Sequence, residues 1–87
     1  MKQLPSGWSQ QDGRLKRRVT CKDFKAAVAL LNTIGEIAEQ QNHHPDLTIT
    51  DYKQLSISIT THIKGGLTDR DFELAQAITR LLDSRDN

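Results

Sequence analysis

The three histidines are the residues of this chain best suited to chemistry near neutral pH. His43 and His44 are adjacent and are followed by Pro45, and His62 lies in a later segment of alternating apolar and polar residues. An unperturbed imidazole has a pKa of about 6.5, so it both donates and accepts protons near neutrality. The histidines therefore direct attention to proton transfer.

Residue types and spacing alone leave three interpretations of these histidines open. Imidazolium groups at the end of a helix interact favourably with the negative end of its dipole. A metal site is the second interpretation, since Glu39 and His43 are four residues apart and would share a helical face, with two more histidines as ligands. The third is metal-free acid–base catalysis in which Glu39 orients His43. The chain contains no HExxH, CxxC, Walker or nucleophile-elbow motif that would supply another chemistry.

Composition excludes several broad classes of protein. The net charge is +1 with both signs interspersed, so no overall field attracts nucleic acid or an acidic membrane surface. There is one cysteine, Cys21, which rules out an internal disulfide framework, and no apolar run long enough for a membrane span. We expect a cytoplasmic protein. The basic run at residues 15–18 fits the solvated part of an edge strand, with phosphate binding as the lesser alternative.

The first half of the chain predicts an arm, a strand and a helix. Residues 1–13 are polar and rich in turn-forming residues, which indicates an irregular arm that Trp8 anchors. Residues 14–19 alternate as a short strand does. Thr20 and Asp23 resemble a capping box, after which apolar residues at helical spacing continue to about Gln41. The helix should end there, because Asn42 is typical of a left-handed terminator and Pro45 cannot continue a helix.

The second half predicts a hairpin and another helix. Residues 47–52 and 54–63 alternate with period two around a polar turn, which is typical of paired antiparallel strands. Two glycines at 65 and 66 end the second strand, and Thr68 and Asp71 repeat the capping pattern before a helix. The order strand, helix, strand, strand, helix predicts one α+β domain over residues 1–87, a two-layer sandwich with helices on one face of an antiparallel sheet.

The segment 39–75 resembles the signature region of the pterin-4a-carbinolamine dehydratases. That pattern runs acid, three residues, His-His-Pro, six residues, aromatic, nine residues, His, eight residues, Asp. The positions are filled here by Glu39, His43, His44, Pro45, Tyr52, His62 and Asp71. The resemblance extends more weakly over almost the whole chain, including Trp8.

What the resemblance implies is dehydration of 4a-hydroxytetrahydropterin, the product of aromatic amino acid hydroxylases, with the pterin as substrate and no cofactor or metal. His43 and His62 look like the acid–base pair and His44 like a positioning group. Glu39, Tyr52 and Asp71 would support them. Substrate contacts are implied for Trp8, His43, His44, Pro45, Thr61, His62, Ile63 and Lys64.

The resemblance also implies a homodimer or homotetramer and a functional link to an aromatic amino acid hydroxylase. The interspersed charges and the lack of a long apolar run predict no direct contact with nucleic acid or membrane. Two other functions stay open. Some relatives act as dimerisation cofactors of a transcription factor, without catalysis. A protein of molybdopterin-related metabolism would share the pocket but change the substrate.

Overall fold

The chain folds as a four-stranded antiparallel sheet covered on one face by two helices. The computed structural model describes residues 4–61 and 67–85. The predicted α+β two-layer architecture is confirmed. The elements, in chain order, are β1 (Ser9–Gln11), β2 (Arg14–Thr20), α1 (Phe24–Gln41), β3 (Asp46–Thr50), β4 (Gln54–Ile59) and α2 (Asp69–Arg85).

The sheet has the strand order β1-β2-β4-β3, and all three pairings are antiparallel. Alternation along the strands divides its two faces sharply. The face toward the helices carries fully buried apolar side chains, Leu15, Leu55, Ile57 and Ile59. The other face, which we call the open face, carries the intervening polar residues. The predicted antiparallel hairpin of β3 and β4 is therefore confirmed.

The amino-terminal arm contains a short strand, whereas the sequence predicted an irregular arm over residues 1–13. Residues 9–11 pair with residues 14–16 as the hairpin of β1 and β2. The two-residue loop consists of Asp12 and Gly13, which have φ values of 52° and 74°. Asp-Gly with positive φ at both positions is a strong signal for a tight hairpin. The signal was present, but three polar residues gave no strand pattern beside it.

The start of α1 also differs from the prediction. Asp23 is the N-cap, and its carboxylate accepts a hydrogen bond of 2.8 Å from the backbone N–H of Ala26. Thr20 instead ends β2 and donates its hydroxyl to Gln54. Phe24, in the first turn, is 56% exposed, because the apolar stripe reaches the core only from Ala27 onward.

The basic run at residues 15–18 does not lie wholly in an edge strand of the sheet. Residues 14–16 of β2 pair with β1 on one side and with β4 on the other. Lys16 therefore lies in an interior stretch of the sheet, and the edge-strand interpretation fails for it. Only from Arg17 onward does the β1 side of β2 have no paired strand within the described chain.

Both helices bury their apolar faces against one cluster. α1 contributes Ala27, Leu30 and Ile34, and α2 contributes Leu74, Ala75, Ile78 and Leu82. Their packing fixes the end of α1 beside the start of α2, which is where the candidate site lies. Within the described residues, neither helix combines the length and the apolarity that crossing a bilayer would require.

Candidate functional site

The end of α1 presents the adjacent histidines. Asn42 has the left-handed conformation, φ 52° and ψ 44°, that terminates a helix as predicted. The backbone N–H of His43 turns back to the carbonyl of Ala38 at 3.0 Å. Arg70 of α2 donates to the carbonyl oxygens of Gln41 (3.2 Å) and Asn42. The short connection that carries the histidines is therefore tied both to its own helix and to α2.

His43 makes its closest polar contact with a carboxylate from α2. Its Nε2 lies 2.6 Å from Oδ1 of Asp71. The His43 side chain is 11% exposed and that of Asp71 is fully buried. The two residues are 28 positions apart, so this contact depends on the packing of the two helices.

Asp71 is held by further donors. Its Oδ2 accepts hydrogen bonds from the Thr61 hydroxyl at 2.7 Å and from the Thr68 backbone N–H at 2.8 Å. Burial would raise the pKa of Asp71, but the hydrogen bonds from Thr61, Thr68 and His43 outweigh it and hold that pKa below its ordinary value. Asp71 is thus a carboxylate at neutral pH.

The ionised Asp71 fixes the tautomer of its partner. A carboxylate only accepts hydrogen bonds, so Nε2 of His43 must carry the hydrogen that joins them. In the neutral imidazole Nδ1 is then the unprotonated nitrogen. His43 can therefore accept a proton at Nδ1 and, once charged, return it from the same atom.

The side chain of His44 has the carboxylate partner that the sequence had suggested for its neighbour. Nε2 of His44 contacts Oε2 of Glu39, whereas the predicted pairing was between Glu39 and His43. That prediction was wrong because the left-handed Asn42 rotates His43 out of helical register. The side chains of His44 and Glu39 are 59% and 76% exposed, so water competes with this pair.

A cavity of about 260 Å³, which we call the histidine pocket, opens beside the two rings. Thr61, a predicted contact, lines it. The full lining is Asn42, His43, His44, Thr60 and Thr61. Pro45 is half-buried directly after His44 and does not line the cavity. Sequence reasoning missed Asn42 and Thr60 as lining residues, although Thr60 follows the polar alternation of β4.

Three predicted residues, His62, Ile63 and Lys64, lie outside the described residues. Thr61, the residue directly before His62, is hydrogen-bonded to Asp71. The chain therefore enters the predicted segment at the wall of the histidine pocket.

Two predicted aromatic residues are not at the pocket. Trp8 is 7% exposed within the core, and its indole N–H donates to the Thr79 hydroxyl at 2.8 Å. Its predicted anchoring role is confirmed, whereas it contributes nothing to the lining of the histidine pocket. Tyr52 is 60% exposed in the turn between β3 and β4, at the end of that hairpin remote from His44.

The described residues offer no ready metal centre. Among them, no group of three or more His, Cys, Asp or Glu side chains has the proximity that a metal ion needs. The carboxylates near His43 and His44 instead form two separate pairs.

The sequence matches one family model over most of its length. Residues 1–81 match the model of pterin 4 alpha carbinolamine dehydratase. A protein of Thermomicrobium roseum, provisionally named a pterin-4-alpha-carbinolamine dehydratase, is 40% identical over 81 residues, which are 93% of this chain and 85% of that protein. A relative from Acidobacterium capsulatum with the same provisional name is 44% identical over 79 residues, covering 91% and 84% of the two chains.

Solved structures share the fold. A transcriptional coactivator/pterin dehydratase from Brucella melitensis superposes with a TM-score of 0.78 at 27% identity, covering 87% of this chain and 82% of that one. A pterin dehydratase-like protein identified as a RuBisCO assembly factor in the alpha-carboxysome gives a TM-score of 0.69 at 17% identity, over 86% and 88% of the chains. At that identity the second likeness concerns the fold alone.

Proposed function

The chain belongs to the pterin 4 alpha carbinolamine dehydratase family, and from this premise we propose that it dehydrates 4a-hydroxytetrahydropterin to quinonoid dihydropterin. The observation that carries the proposal is the 2.6 Å contact between His43 and the buried Asp71 at the wall of a pocket. An imidazole oriented by a carboxylate suits repeated proton exchange.

The reaction needs two proton transfers and no electron transfer. The C4a–O bond breaks and hydroxide leaves, which requires a general acid to protonate the oxygen. N5 loses its proton to a base as the double bond between N5 and C4a forms. Each well-placed proton transfer typically contributes about 10² to 10⁴-fold to the rate.

We assign one of these transfers to Nδ1 of His43. Asp71 accepts from Nε2 and so leaves Nδ1 as the nitrogen that exchanges protons. The buried carboxylate also stabilises the imidazolium that forms when His43 takes up a proton. Because Nε2 stays bonded to Asp71 while Nδ1 gains or loses a proton, His43 can serve as acid or base, depending on its charge when substrate arrives.

His62 is proposed as the second acid–base group, because it fills the family spacing and directly follows Thr61 of the pocket. His44, exposed and paired with Glu39, is proposed to position the ring. Pro45, Ile63 and Lys64 are proposed as further substrate contacts on the family resemblance alone.

The reaction proposed requires neither metal nor a separate cofactor, since the pterin is the substrate. We further propose that the protein acts in the cytoplasm as a homodimer or homotetramer. It would regenerate the pterin of an aromatic amino acid hydroxylase.

Stopped-flow absorbance with synthetic 4a-carbinolamine tests the proposal. We expect wild type to accelerate dehydration equally with and without a chelator. We expect His43→Ala to lower the rate about 10²-fold or more and His62→Ala to lower it at least about tenfold. Loss of activity with chelator would contradict the metal-free mechanism. A wild-type rate no faster than the uncatalysed reaction would refute the function.

A role in binding another protein is the second candidate, since the Brucella melitensis relative is described as both coactivator and dehydratase. Such a role would not require His43. A variant that has lost dehydration but keeps its partner would separate the two functions.

A further inference from the structure

The open face of the sheet carries a second, larger cavity of about 630 Å³, which we call the cationic groove. β2 supplies its positive charges and β4 its hydroxyls. The lining residues whose side chains lie on the open face of β2 and β4 are Arg14, Lys16, Arg18, Ser56 and Ser58. In the sheet register Lys16 is opposite Ser58 and Arg18 is opposite Ser56, so these side chains share one face.

Charge in the groove is only partly neutralised. Arg14 donates to Asp46 and to Ser58, each at 3.1 Å. Lys16 and Arg18 form no ion pair with any residue in the described part of the chain. Lys16 is moreover half-buried, in the stretch of β2 that has a strand on both sides. Like charges on neighbouring positions of one sheet face repel each other, and an anion between them would relieve that repulsion.

The cationic groove adjoins the histidine pocket. Ser58 lines the groove and Thr60 lines the pocket, and these residues are two positions apart on one strand, about 7 Å. The Thr60 hydroxyl donates to the carbonyl of Gly13, next to Arg14, at 2.9 Å. Asp46, the partner of Arg14, is only two residues beyond His44. A ligand seated against the histidines therefore has the groove as its neighbour.

The two cavities also complement each other in size. The histidine pocket, at about 260 Å³, is below the usual range for small-molecule sites of about 300–1,000 Å³. A flat ring with a side chain would extend beyond it, and the open face offers space lined by hydroxyls and cations. Both are suitable donors to an oxyanion.

We propose that the pterin taken by the histidine pocket carries an oxyanion on its side chain, a phosphate ester or a carboxylate, and that this group lies in the cationic groove against Lys16. Arg18 adds to the field from the next position along β2. The inference rests on the proposed function and defines its substrate class. A neutral side chain would leave the charges of Lys16 and Arg18 without a counterpart.

Binding of unreactive 7,8-dihydropterins tests the inference without catalysis. Three ligands share the ring and carry a neutral hydroxylated, a carboxylated or a phosphorylated side chain, and fluorescence titration gives each Kd. We expect at least one anionic ligand to bind about tenfold more tightly than the neutral one. The better of the two anionic ligands identifies the oxyanion.

The double variant Lys16→Gln/Arg18→Gln should abolish this preference while leaving the Kd of the neutral ligand within about twofold. The matched control is Lys22→Gln/Lys25→Gln, which removes the same charge from exposed residues at the opposite end of α1 from the histidines. It should keep the preference. Circular dichroism confirms that both variants are folded.

Several outcomes would overturn the inference. Equal Kd values for the neutral and anionic ligands in wild type would do so, even if the neutral carbinolamine is dehydrated and the proposed function stands. A preference that survives in the double variant would also overturn it, because the groove would then not be its source. If no pterin binds and none is dehydrated, the proposed function fails and the inference fails with it.

Discussion

His43 and His44 are neighbours in sequence but lie in two different environments. The ring of His43 is nearly buried and meets a fully buried carboxylate from another helix. The ring of His44 is more than half exposed and meets an exposed carboxylate five residues earlier. A buried contact is shielded from water and salt, whereas an exposed ion pair contributes little. The contrast indicates that the fold fixes the orientation of the His43 ring, as the proposed proton transfer requires, and constrains the His44 ring less.

Alanine variants of the two histidines should differ more in their kinetics than any other pair of variants. We expect His43→Ala to lower kcat for dehydration by about 10²-fold or more, because an oriented acid–base group is lost. His44→Ala should chiefly raise KM, with a kcat within about tenfold of wild type, because a positioning contact is lost. Stopped-flow kinetics at several substrate concentrations separates the two constants. Equal losses of kcat in His43→Ala and His44→Ala would contradict the different roles proposed for the two rings.

Asp71→Asn weakens the support of His43 without removing the ring. An amide in place of the carboxylate cannot satisfy the donors from Thr61, Thr68 and His43 as well, so we expect a loss of about 1–3 kcal/mol in the free energy of unfolding. We also expect a fall in kcat of about tenfold or more, because Nε2 would no longer be held as a donor. Urea denaturation and kinetics measure the two effects.

Glu73→Gln, an exposed carboxylate on the same helix, is the matched control for Asp71→Asn. It should change the free energy of unfolding by less than about 0.5 kcal/mol. If Asp71→Asn behaves like this control, the buried carboxylate does not support the site.

The pH dependence of the free energy of unfolding should also show the contribution of the Asp71 carboxylate. The pKa of Asp71 in the folded protein is below its ordinary value of 3.8, so its ionised form stabilises the fold above that pH. The stabilisation is lost as pH falls through the folded pKa. The stability gap between wild type and Asp71→Asn should therefore be constant at neutral pH and narrow below about pH 4. A gap independent of pH down to acid unfolding would contradict the assignment.

Glu39→Gln should have the smallest effect. The pair with His44 is exposed, so we expect a change of less than about 0.5 kcal/mol in the free energy of unfolding and of less than about threefold in kcat. Thermal denaturation and steady-state kinetics suffice. An effect as large as that of Asp71→Asn would show that the exposed pair also supports catalysis.

Periodicity predicted most of the fold, since apolar spacing defined both helices and the hairpin. Patterning did not reveal β1, because three polar residues carry no alternation and only the Asp12-Gly13 turn marks them. The end of α1 was predicted from Asn42 and Pro45. Local signals therefore sufficed wherever an element has its own periodicity or terminator.

The site was predictable as a set of residues but not as a set of contacts. The i, i+4 rule paired Glu39 with His43, yet that rule holds only while both residues are helical, and Asn42 ends the helix between them. The contact between His43 and Asp71 arises from packing of the two helices, which sequence separation does not report. The family spacing contained both residues without indicating that they touch.

Buried Asp71 should fix one tautomer of His43 and leave Nδ1 to exchange protons. Long-range ¹H–¹⁵N correlation spectra of the histidine rings report which nitrogen is protonated in the neutral form. We expect a proton on Nε2 of His43 in wild type, and loss of that single tautomer in Asp71→Asn. A neutral His43 protonated on Nδ1, or a tautomer mixture unchanged by Asp71→Asn, would contradict it.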